Sequence, residues 1–131
     1  MTLPRTPSQT VGPYYAIGLC RRAENELMPR DDAGAVQLTG QLLDGEEMPV
    51  SDGLIELWDA GARRWGRCGT DADGRFSFVV ARASHYEVCI FARGLLRHQL
   101  TRIYFADAEE NGTLRFDIRL QGDRETVFFA H

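Results

Sequence analysis

Long apolar runs are missing from this chain of 131 residues, and none approaches the roughly 20 consecutive apolar residues of a membrane span. The N-terminal stretch also lacks the apolar core of a secretory signal. A soluble, cytoplasmic protein with no membrane partner is expected. Cysteine is scarce: Cys20, Cys68 and Cys89 are odd in number and form no CxxC pair, which argues against a disulfide framework and a zinc site. They read as reduced thiols, with Cys89 buried in a strand. Blocks of one charge are absent as well. The 15 basic residues are scattered through a chain of net charge −4, which leaves nucleic acid and acidic membranes no concentrated basic surface to bind. Small molecules and proteins remain as partners. No stretch carries helical periodicity beyond one turn, and no segment repeats.

What is present changes character near Val36. Residues 6–19 (TPSQTVGPYYAIGL) set Pro7, Pro13, Gly12 and Gly18 among the apolar Val11, Tyr14, Tyr15, Ile17 and Leu19, a pattern that suits neither helix nor strand. They read as an extended arm that lies against other protein surface. Residues 21–34 are polar, contain Pro29 and read as a connector. Arm and connector, 1–35, are expected to serve association, so that their removal leaves the remainder folded. From 36 to 131 the chain consists of short runs rich in β-branched and aromatic residues between turn clusters. The runs are VQLTGQLL (36–43), LIELWD (54–59), GRCGT (66–70), RFSFVV (75–80), HYEVCIFA (85–92), LTRIYF (100–105), LRFDIRL (114–120) and TVFFA (126–130). They predict an all-β sandwich of about eight strands in a single domain. Ile55 and Leu57 should face the core with Phe76 and Phe78, and DADG (71–74) should be a turn too short to hold calcium.

The order of strand, tight turn, proline, strand, loop, Asp-Gly turn and strand in GQLLDGEEMPVSDGLIELWDA…GTDADGRFSFVV resembles the prealbumin-like sandwiches. Four stretches sharpen the match: TPSQTVGPYYAIGL, GRCGTDADGRFSF, CIFARGLLRHQLTRIYF and RFDIRLQGDRETVFF. In this order they resemble the α subunits of the protocatechuate 3,4-dioxygenase family, intradiol ring-cleaving enzymes with a prealbumin-like core. The resemblance implies aromatic degradation in bacteria and pairing with a catalytic β-type subunit that carries a non-haem ferric ion. It also implies that the arm helps line a pocket for an aromatic acid at the subunit interface, through Thr10, Gly12, Pro13 and Tyr14. Glycine permits close backbone approach, proline stiffens the segment, and tyrosine offers a flat face with a hydroxyl. The alternative is that the arm covers its own sandwich or a second copy of the chain. Arg93, in FARG, matches a residue near that pocket, where a guanidinium pairs bidentately with a substrate carboxylate. Its alternative is an ion pair with an acidic neighbour.

The resemblance also implies what this chain lacks. The family holds Fe(III) with two tyrosines and two histidines, the histidines as His-x-His on one strand. Here His85 fills the first place and Glu87 the second. The loops that carry the tyrosines are nearly deleted, and Tyr14, Tyr15, Tyr86 and Tyr104 all fall outside them. The expected chain therefore has no catalytic residues and no metal of its own. A rival reading takes His85, Glu87 and His98 as a two-histidine, one-carboxylate set for Fe(II). A third is a stand-alone binding module. Arg82 reads as a solvated loop residue, Trp58 and Trp65 as packing at the sandwich edge, and His131 as a mobile terminus.

Overall fold

Alternation of apolar and polar residues is what extends the chain after residue 34. In Ala35–Leu43 (β1), Val36, Leu38 and Leu42 are fully buried and Gly40 lies on the same face, while Gln37, Thr39 and Gln41 between them face outward. The computed structural model describes residues 24–105, 109–122 and 124–129, with Pro4 and Pro7. The other strands are Leu54–Asp59 (β2), Arg64–Gly69 (β3), Arg75–Ala81 (β4), His85–Phe91 (β5), Gln99–Tyr104 (β6), Glu109–Glu110 (β7), Thr113–Arg115 (β8) and Ile118–Arg119 (β9). No helix occurs among the described residues, and none is long and apolar enough to cross a membrane.

Two sheets form the sandwich. One runs β4-β1-β8-β7 with β9 also beside β1, and the other runs β3-β2-β5-β6. The inner faces meet as Val36, Leu38, Phe78 and Leu114 against Ile55, Leu57, Tyr86, Val88 and Ile103. Each such side chain contributes about 1.5–3 kcal/mol on leaving water. Ile55, Leu57, Phe76 and Phe78 are all buried, as their alternation requires. The Asp-Gly turn forms as expected. Gly74 has φ 72° and donates its amide to the Asp71 carbonyl, while the Asp71 carboxylate accepts the amides of Asp73 and Arg75.

Three expectations need correction. The run 114–120 is not one strand, because β8 and β9 each lie parallel to β1 with a break at Phe116 and Asp117. There the Asp117 carboxylate replaces a backbone acceptor and takes the Gln41 amide at 3.0 Å. The break passes over Gly40, where a Cβ would overlap the Phe116 carbonyl oxygen. Second, residues 24–27 are more than a connector. Leu27 donates its amide to Val79 and Asn25 accepts that of Val79, while Glu24 accepts the amide of Arg67. This strap joins β4 of one sheet to β3 of the other, with Leu27 packed on the core. Third, residues 126–129 are not a strand but a second strap. Thr126 donates to Arg119 of β9 and Phe129 to Leu100 of β6, with Phe128 packed on the core. The first strap thus lies along the outer strands β4 and β3, and the second along β9 and β6.

Candidate functional site

Residues two apart on a strand share a face, so β5 presents His85, Glu87 and Cys89 outward while Tyr86, Val88 and Ile90 enter the core. Antiparallel pairing sets Glu87 opposite Arg102 and His85 opposite Tyr104. The Glu87 carboxylate accepts the Arg102 Nε–H at 2.8 Å, and the same Oε1 lies 3.5 Å from His85 Nε2. Tyr104 beside it, and then Glu87, raise the Arg102 guanidinium's pKa above its ordinary value. His85 Nδ1 stands 3.2 Å from Ser84 Oγ, and its ring is tilted against Tyr104 with centroids 5.8 Å apart. His98 is elsewhere. Its ring packs on Phe91 with centroids 5.6 Å apart, and Phe91 is six residues, or about 20 Å, along β5 from His85. Among the described residues no group of three His, Cys, Asp or Glu side chains is placed to hold a metal ion.

The β2–β3 and β4–β5 connections lie beside this row. The first, between β2 and β3, is a tight turn in which the Asp59 carboxylate accepts the Gly61 amide at 3.0 Å and Arg63 takes φ 53°. The second is only Arg82, Ala83 and Ser84. It is clamped by Tyr86, whose hydroxyl donates to the Ala81 carbonyl at 2.9 Å across the turn. Burial, reinforced by the Asp59 charge, raises the Tyr86 pKa, so the group is a neutral phenol and a donor rather than a phenolate. Neither connection carries a tyrosine or histidine.

The arginines separate by partner. Arg82 forms a two-pronged bond to Glu109 through Nε and Nη2, which lowers the Glu109 pKa and raises that of the guanidinium. It is a loop residue tied to β7. Arg93, past the end of β5, is 59% exposed, with its Nε 3.5 Å from Asp52. Thr10, Gly12, Pro13 and Tyr14 lie outside the described residues, as do Cys20 and His131. Cys89 is half-buried on the outer face rather than in the core, because the β5 alternation turns it toward Glu56. Trp58 and Trp65 are cross-strand partners on that same face, 40% and 42% exposed, with the Arg67 guanidinium 4.5 Å from the Trp65 ring centroid. Sequence reasoning missed a cleft of about 450 Å³ between β6 and the C-terminal strap, lined by Arg102, Arg119, Arg124, Tyr104 and Phe129 among others. These residues come from separate segments, and no linear motif joins them.

No protein-family profile matches the chain. It is 33% identical to the protocatechuate 3,4-dioxygenase alpha chain of Burkholderia cepacia, over an alignment of 193 residues that takes in 98% of this chain and 98% of the relative. The alpha chain from Pseudomonas putida is 31% identical, over 97% of this chain and 96% of the relative. The alignments are longer than this chain while covering nearly all of both proteins, so the relatives carry internal segments that it lacks. Among solved structures, the dioxygenase domain of a dioxygenase carbohydrate-binding protein fusion from Streptomyces sp. SirexAA-E is similar with TM-score 0.60 and 20% identity, over 91% of this chain and 99% of that one. Catechol 1,2-dioxygenase from Pseudomonas arvilla C-1 is similar with TM-score 0.58 and 20% identity, over 76% of this chain and 56% of that one. At such identities these two speak for the fold alone. The near full-length relatives speak for more: the chain belongs to the protocatechuate 3,4-dioxygenase alpha chain family, and its β-sandwich is the fold of the intradiol dioxygenases.

Proposed function

We propose that this chain is a non-catalytic α-type subunit that docks onto an iron-bearing β-type partner and helps shape the partner's pocket for an aromatic acid in the bacterial cytoplasm. The observation that carries this reading is the Glu87–Arg102 pair. The family's four-ligand ferric site does not fit the residues present. Its second histidine position is a carboxylate already engaged by a guanidinium, and the buried Tyr86 gives its proton to a carbonyl. The two connections that would bring phenolates are reduced to turns. No catalytic step on this chain is therefore written through iron. The Fe(II) reading gains no support either, since His98 packs on Phe91, away from His85 and Glu87.

What the chain offers a partner is the arm and Arg93. Glycine, proline and tyrosine at positions 12–14 suit a rigid, close approach to a flat ligand. Arg93 Nε lies 3.5 Å from Asp52, an exposed pair that is weak in water and readily exchanged for a substrate carboxylate. Arg93→Ala tests this in the reconstituted pair. Use of a carboxylated catechol should weaken by about 1.5–3 kcal/mol in kcat/KM, with little change for unsubstituted catechol. Equal effects on the two substrates would remove Arg93 from the pocket.

A further inference from the structure

The β3-β2-β5-β6 sheet turns a patterned face away from the core. Its register lays the central side chains out in two rows across the strands, two residues apart along each. Trp65, Trp58, Glu87 and Arg102 form one row, and Arg67, Glu56, Cys89 and Leu100 form the other. Apolar side chains therefore occupy one diagonal of the face and charges the other. Trp58 and Trp65 fill one apolar quarter, and the half-buried Cys89 and Leu100 fill the opposite one. Each charged quarter is an ion pair, Arg67 with Glu56 at 3.0 Å and Arg102 with Glu87 at 2.8 Å. These four charges cancel. Glu24 of the first strap stands at the margin, 3.9 Å from Arg67, and His85 and Tyr104 continue the face beyond Glu87 and Arg102. A hollow of about 180 Å³ opens between the apolar quarters, with Trp58, Trp65, Cys89 and Leu100 in its lining.

A face with equal numbers of both charges favours neither a basic nor an acidic partner, but it suits its own copy. Self-complementarity is what a two-fold interface demands. A two-fold axis in the plane of the sheet, along the charged diagonal, sets Trp58 and Trp65 of one copy on Cys89 and Leu100 of the other and brings each ion pair against its counterpart. The strands of the two copies then cross at near right angles, one of the two ways in which sheets pack face to face. Four strands about 4.8 Å apart and about 20 Å long make a small contact, so the association is weak.

We propose that two copies of this chain associate through this face, the tryptophans of each covering the Cys89 and Leu100 side of the other's hollow. Arg93 and positions 10–14 take no part, and the isolated full chain suffices for the test. Sedimentation equilibrium between about 1 and 300 µM should show a reversible monomer–dimer equilibrium with a dissociation constant on the order of tens of micromolar. Trp58 and Trp65 are the chain's only tryptophans, so their emission should move to shorter wavelength over the same concentrations. Trp65→Ala should weaken the dimer about tenfold or more. The ring is 42% exposed, so the melting temperature of the dilute variant should stay close to that of the parent chain. Met48→Ala, which trims an exposed side chain between β1 and β2, should leave the dimer unchanged. A chain that stays monomeric throughout, a dimer formed without a change in emission, or one that survives Trp65→Ala would overturn the proposal. So would emission that is independent of concentration and moves to longer wavelength on removal of residues 1–23, which would give the face to the chain's own N-terminal segment.

Discussion

Glu87 Oε1 accepts the Nε–H of Arg102 at 2.8 Å across the β5–β6 pair, at the position where the family resemblance places a second metal-binding histidine. Both side chains are more than a third exposed, so the bond orders a surface without anchoring the fold. Glu87→Gln should accordingly change unfolding free energy by less than about 1 kcal/mol, as followed by urea titration. A loss of several kcal/mol would show that the pair is a structural anchor after all.

Among the described glycines, Gly40 leaves the least room for a side chain. A Cβ there would overlap the Phe116 carbonyl oxygen and crowd the Phe76 ring, and neither can retreat without moving a strand. Gly40→Ala should cost about 1–3 kcal/mol or more, read as a lower urea midpoint with an unchanged slope. A neutral substitution would mean that the break between β8 and β9 yields easily.

The strap at residues 24–27 divides the N-terminal region into two parts with different roles. Removing residues 1–23 should leave a cooperatively folding sandwich, because the hydrogen bonds to Val79 and Arg67 and the Leu27 packing are retained. Removal through residue 34 should destabilise it, and Leu27→Ala in the full chain should cost about 2 kcal/mol, the low end for a leucine that is only partly buried. Thermal melts of the three variants check this. Equal melting of both truncations would return the strap to the status of a connector.

Cys89 reports on the outer face. Burial, and then the Glu56 charge beside it, push the thiol from the usual 9.0 up to about 11. A raised thiol pKa means that the unfolded chain releases its proton first. The Cys89 contribution is therefore fully present below pH 9 and declines as pH rises from 9.0 to about 11. Alkylation of Cys89 in the native chain should be slow at neutral pH and should accelerate toward pH 11. Glu56→Gln should shift that profile to lower pH, and an unmoved profile would remove Glu56 from the explanation.

Strands with strict alternation were legible in the sequence. Leu54–Asp59 and the Phe76, Phe78 pair form as their pattern dictates, since burial on one face requires a period of two. What failed was governed by distant partners. Nothing local to residues 114–120 announces that Gly40 will draw the Phe116 carbonyl close, and nothing local to residues 24–27 announces that Val79 and Arg67 wait for their hydrogen bonds. One local signal was overlooked. Asn111-Gly112 takes positive φ at both residues, 52° and 77°, and forms the two-residue hairpin turn that creates β7. At the candidate site, Glu87 two residues after His85 was readable from the sequence itself, whereas Arg102 as its partner required the β5–β6 register.

In the proposed function the chain contributes a surface and no iron. Its most direct test is to purify the chain alone and together with an iron-bearing intradiol subunit from the same host, then measure bound iron, visible absorption and dioxygen uptake with a carboxylated catechol. Alone, the chain should hold no stoichiometric iron, show no tyrosinate-to-iron band on addition of ferric ion, and consume no dioxygen. Iron and uptake should appear with the partner, and uptake should fall when residues 1–23 are removed from this chain. One ferric ion bound per isolated chain, with a visible band and ring-cleaving uptake, would contradict the account.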